Sequence, residues 1–190
     1  FWLGLTWALA GCGATPPPTP PTPPTPPAPI HEPAPPTPPP SEIYPIADGP
    51  VECRDGAIQR TKKLPKGSAG WCEKDGTRHG PYVRRHENGK LAFKVFMLRG
   101  NRQGPFEARF DNGKLKATGQ YDKGQMTGEW THWNAAGEQW TGPMVDGKRH
   151  GAWSFKDKKG VERQAGPYVA GNRHGEWVFR AADGTESKGA

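Results

Sequence analysis

Apolar residues crowd the first ten positions (FWLGLTWALA), thin out over the next forty, and return after residue 53 as short runs set between glycines. In one such run, LAFKVFM at 91–97, Leu91, Phe93, Val95 and Met97 fall on one face of an extended strand, with Ala92 and Lys94 on the other. Strict alternation of this kind predicts half-buried β-strands, because successive side chains on a strand point to opposite faces. No stretch shows a 3.6-residue apolar period with caps, so no helix is predicted.

The runs recur with a fixed period. Gly80, Gly104, Gly128, Gly151 and Gly175 are 24, 24, 23 and 24 residues apart. Two further series keep the same phase, Gly76, Gly100, Gly124, Gly147 and Gly171 four residues earlier and Gly89, Gly113, Gly137, Gly160 and Gly184 nine residues later. A period of ~20–50 residues marks a stacked repeat array. Each unit reads as a hairpin. GxxxG (GTRHG at 76–80, GKRHG at 147–151, GNRHG at 171–175) forms one turn, and the next strand carries an aromatic two residues on: Tyr82, Phe106, Trp130, Trp153 or Trp177. Asn88-Gly89, Asp183-Gly184 and their equivalents form the second turn, where a residue with φ > 0 is required. A lone hairpin cannot bury its apolar face, but neighbours stacked in register can, so the aromatics are expected to form a continuous stripe. Residues 53–75 do not match the period and are read as a capping hairpin that hides the first edge.

The segment ahead of the array has a different composition. Residues 16–40 hold 16 prolines spaced mainly by Thr and Ala. Proline has no backbone N–H and a locked φ, so this run joins neither helix nor central strand and is expected to be an extended polyproline II spacer. Charge is unevenly placed as well: residues 53–190 carry 26 basic and 15 acidic residues, a formal +11. That balance favours anionic partners without choosing among them.

Two family resemblances follow from these residues. Leu9-Ala10-Gly11-Cys12, directly after the apolar run and before a polar linker, resembles the lipobox of bacterial lipoproteins. The resemblance implies a cleaved leader (1–11) and a lipid-carrying Cys12 at the head of a tether (12–52). It also implies a place outside the cytoplasm, in the bacterial cell envelope and at the membrane. The missing initiator Met and basic leader are read as a truncated leader. Gly13, where an Asp is associated with inner-membrane retention, favours the outer membrane. An oxidising compartment permits a disulfide between the remaining pair, Cys53 and Cys72. Metal is a poor rival for these two, since no CxxC or HxxxH spacing is present.

The units over about 72–188 resemble MORN (membrane occupation and recognition nexus) repeats, particularly the bacterial variant with G-x-W, N-G-K and GxxxG elements. They depart from the eukaryotic pattern in lacking a regular Tyr-x-Gly strand start, to which Gln120-Tyr121 and Pro167-Tyr168 come nearest. The resemblance implies a single twisted ribbon of stacked antiparallel hairpins, five units over 76–190. The fold class expected is therefore all-β, a single-layer array behind a Pro-rich segment without regular structure.

Few residues carry candidate chemistry. Arg78, Arg102, Lys148, Arg149 and Arg173 cluster at one turn, and stacking would align them as a basic ridge able to meet phosphates or carboxylates. His79, His150 and His174 share a repeat position with Gln103 and Thr127, which suits a hydrogen-bonding turn residue better than a metal ligand. No hydrolase, metalloprotease, P-loop or dinucleotide fingerprint occurs. Glu129 and Glu176 match between units without a base beside them. No catalytic residue, metal or cofactor is expected, and an envelope address argues against nucleic acid. The reading is a non-enzymatic envelope lipoprotein whose array binds an envelope protein or an anionic wall polymer. An antitoxin-like or immunity protein neutralising a toxin is the alternative.

Overall fold

The computed structural model describes residues 49–189. The apolar leader, Cys12 and the proline run lie outside the described residues. The described chain is all β, and no helix occurs among the described residues. Its strands are β1 (Ile58–Leu64), β2 (Gly67–Lys74), β3 (Thr77–Arg85), β4 (Leu91–Leu98), β5 (Asn101–Arg109), β6 (Leu115–Asp122) and β7 (Gln125–Trp133). They continue as β8 (Gln139–Val145), β9 (Lys148–Arg149), β10 (Gly151–Lys156), β11 (Glu162–Val169), β12 (Asn172–Arg173), β13 (Trp177–Arg180) and β14 (Glu186–Gly189). All belong to one open antiparallel sheet in chain order, with the short β9 and β12 pairing at the sides of β8 and β11.

Two kinds of turn alternate. At Asp75-Gly76, Arg99-Gly100, Lys123-Gly124, Asp146-Gly147 and Ala170-Gly171 both residues have positive φ, as a two-residue type I′ turn demands. The first glycine of each GxxxG therefore makes the turn. The second, such as Gly104, lies inside the strand at a bulge: Val95 pairs with Phe106 but Phe96 with Gln103, leaving Gly104 and Pro105 extra. At the Asn-Gly turns only the glycine has positive φ, and Gly89 N–H donates to His86 O while His86 N–H donates to Lys90 O. That is a three-residue loop closed by a glycine bulge, not a two-residue turn.

The bulge corrects one expectation. Register slips between Arg84 and Arg85, so Leu91 crosses to the opposite face from Phe93, Val95 and Met97. It packs there with Val51, Cys72 and Val83. The extra residue reverses the parity that simple alternation assumes.

The larger core lies on the other face, and holds Val95, Met97, Tyr121, Trp130, Met144, Trp153, Tyr168 and Trp177. The aromatic stripe is not one continuous chain of rings: contacts run from Tyr82 to His132 and again from Trp153 to Phe179, with Met144 of the same core on the strand between Trp130 and Trp153. Consecutive tryptophans stand two strands apart, about 9–10 Å, too far for ring contact. Tyr121 meets Trp130 at 5.2 Å, Tyr168 meets Trp153 at 6.1 Å and Trp177 at 5.2 Å, and Phe106 meets Trp130 at 5.5 Å. In the strand preceding each tryptophan a glycine leaves room for the indole. A Cβ on Gly119, Gly142 or Gly166 would come within 2.2, 2.5 or 2.3 Å of the ring of Trp130, Trp153 or Trp177. The indole N–H of Trp153 donates to Pro143 O and that of Trp177 to Pro167 O. Gly166→Ala is thus expected to destabilise by about 1–3 kcal/mol through overpacking. Exposed Gly137→Ala is not a fair control, because its φ is positive; the comparison in urea unfolding is Ala165→Gly on the other face. An unchanged midpoint for Gly166→Ala would contradict the packing of indole on glycine.

The first hairpin, β1 and β2, forms the end of the sheet. Asp55-Gly56 repeats the positive-φ pair of the later turns, 20 residues before Asp75-Gly76 instead of 24. Cys53 and Cys72 are joined by a disulfide. The described chain ahead of Cys53 also belongs to this packed end: Val51 is buried and Arg85 Nη2 donates to Gly49 O at 2.7 Å. A tether boundary at residue 52 therefore falls inside packed structure.

Candidate functional site

Successive type I′ turns stack on one another. The N–H of Gly100 donates to Arg78 O, Gly124 to Arg102 O and Gly171 to Arg149 O, each at 2.9 Å. This ladder keeps the arginines in phase, with Met126 taking their place in the third unit, where Gly147 N–H donates to Met126 O at 3.0 Å. The arginine side chains do not stand free along an edge. The guanidinium of Arg78 lies over Trp71 and Tyr82 (5.4 and 5.1 Å), that of Arg102 over Tyr121 (5.1 Å), that of Arg149 over Trp153 and Tyr168 (4.9 and 5.3 Å), and that of Arg173 over Trp177 (4.3 Å). Arg102 and Arg149 also donate to the hydroxyls of Tyr121 and Tyr168, both at 3.0 Å. Burial alone would raise the Tyr168 phenol, but Arg173 and Arg149 hold it below the usual tyrosine range. The four arginines are exposed yet committed to the aromatic stripe as a cation–π layer. Lys148, the fifth residue of the expected ridge, is exposed beside Arg149.

The histidine position lies after the turn, inside the strand for His79 and Gln103, while the backbone N–H groups of His150 and His174 donate to Pro143 O and Pro167 O at 3.0 Å. Gln103 is buried, donates to Asp122 Oδ1 at 2.8 Å and accepts from the Lys123 N–H at 2.9 Å. His79 meets Phe96 edge-on at 6.4 Å. No group of three or more metal-ligating side chains occurs among the described residues. Glu176 accepts from Lys188 Nζ at 2.8 Å.

At the opposite end of the strands, by the three-residue loops, the ends of β3 to β7 and the turn between β1 and β2 enclose an open groove of about 520 Å³. Lys66, Arg84, Phe93, Phe106, Lys116 and Trp133 line it, with no carboxylate among its lining residues. His86 and Arg109 form part of its wall and are held in place: the His86 ring bonds Arg109 O at 2.9 Å, and Arg109 donates to Glu107 Oε1 at 2.5 Å and Gly113 O at 3.0 Å. Glu107 is shared with Lys94 at 3.4 Å. Lys116 Nζ lies 5.6 Å from the Phe110 ring. Neither Lys66 nor Arg84 has a hydrogen-bond or ion-pair partner among the described residues. Of the groove residues, Phe106 was expected in the aromatic stripe and Phe93 on the apolar face of its strand; the others were not singled out in the sequence. The lining comes from five strands and a turn, and the signal available there was only a basic residue recurring near the Asn-Gly turns.

His132 also borders the groove, stacked on Trp130 at 5.6 Å. Desolvation, aided by Arg149, lowers its pKa from the usual 6.5. The unfolded chain then takes up a proton first, so stability falls as pH drops through the free-imidazole range. His132→Phe keeps the stacked ring and removes the proton site. Its melting temperature is expected to fall less than that of the parent between about pH 7.5 and pH 5.5. Equal losses would refute the assignment.

No family model and no curated protein matches the chain. Among solved structures, the GtfA/B complex bound to UDP and GlcNAc is similar at 11% identity over 75% of this chain and 26% of that chain, with a TM-score of 0.22. A likeness so slight carries no argument about fold or activity.

Proposed function

We propose that this chain is a bacterial envelope lipoprotein, lipidated at Cys12, whose MORN-like array is a non-catalytic scaffold binding an envelope protein or an anionic wall polymer. The observation that carries the reading is a repeated cation-bearing surface: one repeat position holds an arginine in four of the five units, Met126 replacing it in the third, on a chain with formal +11 over residues 53–190. A surface of this kind gives many weak, regularly spaced contacts, which suits an extended partner better than a single small molecule. The Cys53–Cys72 bond supports an oxidising address. The test is crosslinking of the lipidated protein in intact cells with mass spectrometry of the captured partner, beside sedimentation with isolated wall polymer at two salt concentrations. A dominant envelope partner, or salt-sensitive sedimentation, is expected. Release of the protein without detergent together with neither form of retention would overturn the reading.

A further inference from the structure

Most cations of the described chain have a local use. Four arginines cap aromatic rings, Arg109 and Lys94 share Glu107, and Arg163 is paired with Asp157 at 2.8 Å. Among the half-buried arginines, Arg85, Arg109, Arg163 and Arg180 are each hydrogen-bonded and Arg84 is not; Lys66 likewise has no partner among the described residues. Arg84 and Lys66 face the same groove, and no described residue neutralises either. The Arg84 guanidinium has no acceptor among the described residues, so its donors are available to an anion entering the groove. The arginine fork matches a carboxylate through two parallel hydrogen bonds, and Lys66 and Lys116 add point charges without fixed geometry.

The rings narrow the occupant. Phe93 is stacked on Tyr82 at 5.4 Å and Phe106 is packed against Trp130 and Tyr121, so their faces are largely taken. Trp133 is half-buried and stacks on no described ring. A single free indole accepts one flat apolar face, such as the C–H face of a sugar. Single-stranded nucleic acid uses a series of free rings for successive bases. The disulfide also favours a ligand found outside the reducing cytoplasm. The volume lies in the ~300–1,000 Å³ range of small-ligand sites, enough for a short saccharide segment and open at its ends to a longer chain.

We propose that this groove is a subsite for an acidic polysaccharide, with a carboxylate on Arg84 and Lys66 and a sugar ring further along the same chain on Trp133. The proposal rests on the scaffold reading and deepens it by moving recognition from the arginine row to the loop end of the sheet. The test is affinity electrophoresis of the full chain in detergent against polygalacturonate, neutral dextran, polyphosphate and an oligothymidylate. The parent is expected to be retarded by polygalacturonate, less so as salt rises, and not by dextran. Lys66→Gln with Arg84→Gln is expected to weaken retardation about tenfold or more, and Trp133→Leu also to weaken it, with melting temperatures unchanged. Any one of three results would overturn the subsite: parental retardation by polygalacturonate in the double variant, equal retardation by polyphosphate with no effect of Trp133→Leu, or preference for the oligothymidylate. Each leaves the scaffold reading standing if the crosslinked partner is still captured, so the two can fail separately.

Discussion

Trp130→Ala is expected to lower the free energy of unfolding by about 3–5 kcal/mol, the usual range for deleting a fully buried large aromatic. The indole has 0% exposure and touches Phe106, Tyr121 and His132. Its N–H donates to both Gln120 O and Thr127 O at 3.1 Å, so truncation also removes a donor shared by two backbone carbonyls. The void would not close easily, because the ring lies on Gly119, which has no side chain to move into the gap. In a linear array the loss falls on the interfaces with both neighbouring units, so the middle of the sheet is most affected. Urea unfolding followed by circular dichroism measures it. Tyr82→Ala, at a half-buried ring nearer the end, is the expected smaller effect, and a loss below about 1 kcal/mol for Trp130→Ala would refute this core.

Reduction of Cys53–Cys72, or the double change Cys53→Ser and Cys72→Ser, is expected to cost about 3 kcal/mol, since the bond closes a loop with a sequence separation of 19. Packing adds to the chain-entropy argument. Cys72 has 0% exposure beside Val51, Val83 and Leu91, and the bond draws the segment carrying Val51 across the far face of the sheet. Loss of the tie uncovers that small core and leaves β1, an exposed edge strand, less securely placed. The measurement is the unfolding midpoint with and without reductant. The same midpoint in both would show that hairpin β1–β2 does not depend on the bond.

Repeat, turn positions and strand alternation were legible because each is local: glycines in phase, Asn-Gly pairs, an aromatic two residues after each GxxxG. What was not legible depends on registry between strands. The bulge that sends Leu91 to the far face is one residue of slip at Arg84 and Arg85, and alternation has no way to register it. The pairing of tryptophan with glycine needs Gly142 set beside Trp153, eleven residues on, and Gly166 beside Trp177. The expected basic ridge was read from residue type and spacing, and four of its five members prove to lie on aromatic rings that the same spacing brings under them. The groove was the least visible feature, since its lining is gathered from β3 to β7 and the first turn.

The central claim is that two groups of cations in this array differ in their work, the arginines of the turn ladder holding the aromatic stripe and Lys66 with Arg84 left open for a ligand. The most direct measurement pairs Arg149→Gln with the Lys66→Gln, Arg84→Gln double variant and reads both unfolding free energy and polygalacturonate binding. Arg149→Gln removes a cation–π contact and the donor to the Tyr168 hydroxyl, and is expected to destabilise by about 1–2 kcal/mol with binding intact. The double variant is expected to keep its stability and lose binding about tenfold. The reverse pattern, or both variants losing both properties alike, would contradict the division.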